Sequence, residues 1–297
     1  MAQTEKGLVI RLLGGFYYVE CGGREIETRA RGVFRKNNIK PCVGDIATVE
    51  LSGEGTGTLV DIQPRKNSLV RPPVANLDQL VLVCSIAQPV PNYLVLDKMI
   101  AICQHQNIPQ VLVITKSDLG DTRPMEEIYR KAGFPVYTVC NETGEGVEAV
   151  RQALQGKVSA FCGNSGVGKS SLLNAIDSRF SIDTAHISQK LGRGRHTTRH
   201  VELYKLEGGG YIADTPGFSA VDLERYEVIL KDELQHCFRE FEEYIPYCRF
   251  TGCSHTREKG CAVLEAVEKG EIAKERHESY LAMYEVSRQI KEWELNK

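Results

Sequence analysis

Gly163-Asn164-Ser165-Gly166-Val167-Gly168-Lys169-Ser170-Ser171 decides the fold. It follows the apolar run Val158–Cys162 and leads into Ser171–Ile176, which is helix-compatible. That is the strand–loop–helix setting the pattern GxxxxGK[ST] requires. Its glycines let backbone N–H groups turn inward around phosphate oxygens, and the helix start adds the positive end of its dipole. Lys169 is expected to reach the β- and γ-phosphates of a nucleoside triphosphate, and Ser170 to hold Mg²⁺. The loop by itself does not separate ATP from GTP.

Upstream, the apolar runs Leu80–Ile86, Val111–Thr115 and Pro135–Cys140 alternate with helix-like stretches at Pro91–Gln106, Thr122–Ala132 and Glu145–Leu154. With Val158–Cys162 they predict a parallel sheet buried on both faces by helices. At the end of one such strand lies Thr115-Lys116-Ser117-Asp118. A carboxylate there can accept hydrogen bonds from guanine N1–H and the exocyclic amine, whereas adenine would leave Asp118 facing an unmatched edge. An unpaired buried polar group costs about 1–3 kcal/mol, enough to discriminate between bases. The Lys116 stem can cover the base. Val139-Cys140-Asn141 ends the next strand and loosely fits a loop that backs guanine; a plain strand-to-helix turn reads nearly as well.

Downstream, Asp214-Thr215-Pro216-Gly217 closes the run Tyr211–Asp214. Asp214 is placed to hold Mg²⁺ through water, and the Gly217 N–H to meet the γ-phosphate, so the chain beyond it should respond to hydrolysis. Between these motifs lies Gly192-Arg193-Gly194-Arg195-His196-Thr197-Thr198-Arg199. Thr198, with Thr197 as second choice, is the candidate hydroxyl for Mg²⁺. Hydrolysis needs a group that orients water. The residue after Gly217 is Phe218, which cannot do so, leaving His196 or a partner. The base motif precedes the phosphate loop, and DxxG comes last. The order is rotated relative to an ordinary GTPase, which implies a circularly permuted domain.

On either side the pattern changes. Residues 1–68 show short strands at Leu8–Leu13, Phe16–Cys21, Ile46–Leu51 and Thr58–Ile62, separated by Gly14-Gly15, Gly22-Gly23 and Gly53–Gly57. They suggest a five-stranded barrel, with Arg29–Pro41 as a basic loop. Arg24, Arg29, Arg31, Arg35, Lys36 and Lys40 are opposed only by Glu25 and Glu27. Of these, Arg29, Arg31, Arg35, Lys36 and Lys40 are the candidate RNA contacts. Pro64–Pro73 reads as a linker to a permuted GTPase domain over 69–221. The remainder, 222–297, is expected to be mostly helical. There Cys248, Cys253, His255 and Cys261 gather three thiols and an imidazole in a short loop, a donor set suited to one structural, tetrahedral Zn²⁺.

The 297 residues carry a net charge of −2, so only the local basic cluster argues for nucleic acid. No run approaches the roughly 18 apolar residues of a membrane span. Met1–Lys6 lacks a secretion signal's apolar stretch, so a cytoplasmic location and mostly reduced cysteines are expected.

Together, Thr115–Asp118, Gly163–Ser170, the Gly192–Arg199 loop, Asp214–Gly217 and the Cys248/Cys253/His255/Cys261 set resemble the bacterial ribosome small subunit-dependent GTPase A family, over essentially the whole chain. Thr115 stands where many GTPases have Asn. The resemblance implies an OB-fold barrel and a role in late maturation of the small ribosomal subunit. It further implies GTP hydrolysis stimulated by that subunit and its rRNA, a catalytic role for His196, and action as a monomer. Two other classes compete on the residues alone. A metabolic phosphotransferase is disfavoured by Asp118 and the two switch motifs. A guanine-nucleotide-dependent binding module with little turnover is kept open by Phe218.

Overall fold

The computed structural model describes residues 3–36, 39–70, 73–180, 201–214 and 228–290, without the side chains of Arg35 and Asp214. Five strands form the N-terminal barrel: β1 (Thr4–Leu13), β2 (Phe16–Cys21), β3 (Arg24–Ala30), β4 (Ile46–Gly53) and β5 (Thr56–Ile62). β1 pairs antiparallel with both β2 and β4, and β3 closes the ring by running parallel to β5. A bulge between Val9 and Arg11 bends β1 so that it can serve two neighbours. Gly14-Gly15 and Gly22-Gly23 all have φ between 56° and 85°, as tight two-residue hairpin turns demand. Val9, Val19, Cys21, Ile26, Ala47, Val49 and Leu59 fill the interior, with Phe34 from the short helix α1 (Val33–Lys36).

Two expectations for this region are corrected. Arg29 lies on β3, not in a loop, because Ile26 and Thr28 alternate inward while the charged residues between them face out. The described part of the Pro64–Pro73 stretch, residues 64–70, is also less free than a linker. Arg65 grips the fully buried Asp45 through two bonds of 2.7 and 2.9 Å, and Ser68–Leu69 (β6) pairs with Val74–Ala75 (β7). Asn67 then spans both amide functions of Leu77, which anchors the start of the next domain.

The central sheet runs in the order β10-β9-β8-β11-β13-β12. Its strands are β8 (Gln79–Ser85), β9 (Gln110–Thr115), β10 (Val136–Thr138), β11 (Val158–Cys162), β12 (Glu202–Lys205) and β13 (Tyr211–Asp214). All are parallel except β12, a strand the sequence reading did not anticipate. β12 also touches β1 through Arg11 and Glu202, and Lys205 binds Glu20, so the barrel is fastened to the edge of the sheet. Helices α2 (Tyr93–His105), α3 (Arg123–Lys131), α4 (Val147–Leu154) and α5 (Lys169–Ile176) fall where periodicity placed them.

Over the described residues 228–290 the regular elements are all helical: α6 (Lys231–Leu234), α7 (Ala262–Glu268), α8 (Lys274–Ser287) and short 3₁₀ turns. This segment has no separate core. Phe238, Phe241, Val263, Tyr280 and Met283 join Leu96, Met99, Ile100 and Cys103 of α2 in one hydrophobic cluster. Inside it sits Arg276, fully buried, donating to Asp97 of α2 at 2.6 Å and to Glu240 at 2.6 and 3.2 Å. Its guanidinium lies 4.5 Å over the Phe238 ring. Burial opposes that charge, but Glu240 and then Asp97 outweigh it and raise the Arg276 pKa. Among the described residues no helix is long and apolar enough to cross a membrane.

Candidate functional site

Parallel strands deliver the loops that follow them to one edge of a sheet, whatever their order along the chain. Here that edge receives Thr115–Asp118 after β9, Cys140–Asn141 after β10, the phosphate loop after β11, and Asp214 at the end of β13. Motifs far apart in sequence thereby meet. Gly168 has φ of 86°, and a side chain there would lie 2.9 Å from Asn141 Nδ2 and 3.6 Å from Thr115 Oγ1. At Gly163 a Cβ would strike the Val83 carbonyl oxygen at 2.4 Å, so only glycine lets the loop leave β11 in this direction. Helix α5 begins at Lys169, immediately after the turn, aiming its first N–H groups at the loop.

Thr115 is fully buried, and its hydroxyl donates to Val167 O at 2.5 Å, which binds the base motif to the phosphate loop. Lys116 adopts a left-handed conformation, φ 58°, and its amine bonds Gln88 O, so its stem crosses above the strand ends. Asp118 is exposed and accepts from the Cys140 thiol at 3.3 Å. Asn141 Nδ2 donates to Gly168 O at 3.0 Å, while its buried Oδ1 has no partner among the described residues. The sequence places Asn141 in a loop that loosely fits one backing guanine; the fold shows that its amide reaches the phosphate loop. His196, Thr197, Thr198 and the rest of Gly192–Arg199 lie outside the described residues. So do Thr215, Pro216, Gly217 and Phe218, and of Asp214 only the backbone is described.

The second constellation is the cysteine loop. Donor atoms of Cys248, Cys253, His255 and Cys261 all lie within 4.8 Å of one another. Metal–sulfur bonds of about 2.3 Å in a tetrahedron put sulfurs about 3.8 Å apart, and Cys248 and Cys261 are separated by 3.8 Å. His255 Nδ1 faces these sulfurs at 3.7 and 3.3 Å, and its Nε2–H donates to Gln235 Oε1 at 2.8 Å. That bond fixes the tautomer whose lone pair points at the thiols. Burial pushes the Cys261 thiol up to about 12 and lowers the His255 pKa. A neutral imidazole is ready to bind, but buried thiolates need a cation beside them. The donor set fits a metal ion.

Its surroundings hold the loop rigidly. His277 Nε2 donates to His255 O at 2.8 Å, and Tyr280 donates to Ser254 O at 2.9 Å, both from α8. Glu258 accepts from the N–H groups of Ser254, Thr256 and Arg257 at 2.8–3.0 Å. Burial would raise the Glu258 carboxyl, yet the Ser254 hydroxyl and those N–H groups hold it down to about 2. Gln235, Glu258 and Arg276 carry no signature in the sequence, since each is a common residue type in a charge-rich segment.

A phosphate-loop motif and the strand end Thr115–Asp118, assembled at one sheet edge from motifs in rotated order, define a circularly permuted GTPase. Comparison with known proteins gives the family. Residues 62–224 match the RsgA GTPase family and residues 6–59 the RsgA N-terminal domain, and the chain belongs to this family. It is 47% identical over 292 residues to the small ribosomal subunit biogenesis GTPase RsgA of Caldanaerobacter subterraneus subsp. tengcongensis, covering 97% of both chains. It is 45% identical over 286 residues to the protein of that name from Geobacillus sp. strain WCH70, covering 94% of this chain and 96% of that one. Among solved structures, YjeQ from Thermotoga maritima superposes with a TM-score of 0.84 at 36% identity, covering 97% of this chain and all of that one. YloQ, described as a circularly permuted GTPase, gives 0.81 at 35%, covering 97% and 96%. The protein is a GTPase.

Proposed function

We propose that this GTPase serves the biogenesis of the small ribosomal subunit, binding the subunit and its rRNA and hydrolysing GTP faster when bound. The observation that carries this reading is the union, in one chain, of a guanine-nucleotide edge, a basic β-barrel and a cysteine-rich knuckle. Its relatives bear the name of small-subunit biogenesis factors over nearly their full length.

In this reading residues 1–68, 69–221 and 222–297 are the barrel, the nucleotide domain and the zinc-binding domain. Lys169 meets the β- and γ-phosphates. Gly163–Ser171 cradles the phosphates, and Thr115–Asp118 reads the base. Ser170, Thr198 and Asp214 hold Mg²⁺, which neutralises phosphate charge when bound, and Gly217 senses the γ-phosphate. His196, or a group from the subunit, orients the attacking water. Cys248, Cys253, His255 and Cys261 hold a structural Zn²⁺. Arg29, Arg31, Arg35, Lys36 and Lys40 pair with rRNA phosphates, so binding weakens as salt rises. Arg29 suits a base-contacting surface, with its guanidinium 4.5 Å over the Phe16 ring on a barrel face. The protein works as a monomer in the cytoplasm.

The test is phosphate release from GTP with and without purified small subunits, repeated with Lys169→Ala and His196→Ala. Stimulation by the subunit that is lost with Lys169→Ala is expected. Equal rates with and without subunits would overturn the assembly role.

A further inference from the structure

The loop between β8 and α2, residues 86–92, runs beside both nucleotide motifs and is tied down at three points. Ile86 N–H donates to Thr115 O at 3.1 Å, on the strand end that carries Lys116. Ser85, only 1% exposed, donates its hydroxyl to Pro89 O at 2.8 Å. Asn92 Oδ1 caps α2 by accepting from Val95 N–H at 3.1 Å. Between these ties Gln88 holds φ of 46°, a left-handed turn that is costly for a residue other than glycine and persists only where its surroundings fix it. The Gln88 carbonyl, turned in this way, accepts from the Lys116 amine, and Lys116 is itself left-handed at φ 58°. Pro89 lies against the phosphate loop, 3.8 Å from where a Cβ on Gly166 would stand.

We infer that this loop belongs to the nucleotide site and that Ser85 is a positioning residue, which keeps Gln88 O on the Lys116 amine and so fixes the Lys116 stem where the base will lie. The inference rests on Lys116 covering the base. A free lysine has a long flexible stem, and ordering it only when a nucleotide arrives would weaken binding. Here one N–H of the ammonium is already given to Gln88 O, so the stem is set before the ligand comes. The carbonyl can do this only while the turn aims it at Lys116. The Ser85 hydroxyl closes that turn from Pro89, one residue on.

Equilibrium affinity for GDP, which leaves hydrolysis out of the measurement, tests this in the full chain as it stands, in Ser85→Ala, in Lys116→Ala and in the double variant. Ser85→Ala should weaken GDP about three- to tenfold, the worth of one hydrogen bond. In the Lys116→Ala background the same change should weaken it less than about twofold, because the side chain it positions is gone. Equal losses in both backgrounds would show that the loop acts through Pro89 on the phosphate loop, or on folding at large, and would overturn the inference. If Lys116→Ala by itself leaves GDP affinity unchanged, the reading of Lys116 as the cover of the base has failed, and the role of Ser85 falls with it. Should Ser85→Ala not fold, the nearly isosteric Ser85→Cys, a weaker donor, runs the same cycle and is judged by the same outcomes.

Discussion

The nucleotide edge and the cysteine knuckle satisfy their polar groups in opposite ways. At the edge, backbone turns do the shaping, Asp118 is exposed and Asn141 Oδ1 has no partner among the described residues. In the knuckle, His255 is fully buried, and Gln235, His277, Tyr280 and Glu258 bond the loop from every side. The first arrangement is built for a ligand that comes and goes. The second is closed, and it is wedded to the sheet because α8 packs on α2 through Arg276 and Asp97. Stability should therefore depend on the knuckle, and turnover on the edge.

The largest expected effect is loss of the metal proposed for the knuckle. Binding at such sites amounts to roughly 10–16 kcal/mol of apparent folding free energy in small zinc domains. Cys261→Ser should release the metal, measured by elemental analysis, and strip hydrogen-exchange protection from residues 228–290. Retained protection would break the comparison. Next is Arg276→Ala, which leaves Asp97 and Glu240 buried without their cation and should cost about 3–5 kcal/mol in urea denaturation. Lys169→Ala should slow GTP turnover by at least about 100-fold, or about 2.7 kcal/mol, yet leave the denaturation midpoint where it was. A large stability loss there would blur the line between the two regions. Gln235→Ala, which frees the His255 ring, should weaken metal affinity by about 10- to 100-fold and leave nucleotide affinity unchanged.

The smallest effect concerns acid. Glu258 is depressed to about 2 when folded, against about 4.3 for an unperturbed Glu. The unfolded chain therefore takes up this proton first. The contribution of Glu258 is fully present above about pH 4.3 and is lost as pH falls towards about 2. Glu258→Gln should flatten that part of the stability profile of the metal-loaded protein. An unchanged slope would show that the carboxylate is not held by the loop.

What could be read from sequence follows the same division. The phosphate loop, Thr115–Asp118 and the order of strands were legible because they are local patterns of backbone shape and apolar runs. The clustering of Cys248, Cys253, His255 and Cys261 was legible from residue type and spacing. β3 was missed because Arg24–Ala30 has Ile26 as its one strongly apolar residue, its outward face being charged. β12 escaped because Glu202–Lys205 is a short strand with charged ends. Arg276 looked like one more charge on a helix; only the packing of α8 on α2 reveals it as the centre of a buried network. Asn141 needed the fold for another reason: its partner Gly168 lies on a different strand end.

The central claim is that a guanine nucleotide lies along this sheet edge with its base against Asp118. The most direct measurement is the affinity for GTP and for ATP, in the unmodified chain and in Asp118→Ala. The account predicts at least a tenfold preference for GTP, roughly 1.4 kcal/mol, collapsing towards parity in the variant. Equal affinities in the unmodified chain, or a preference that survives the substitution, would contradict it.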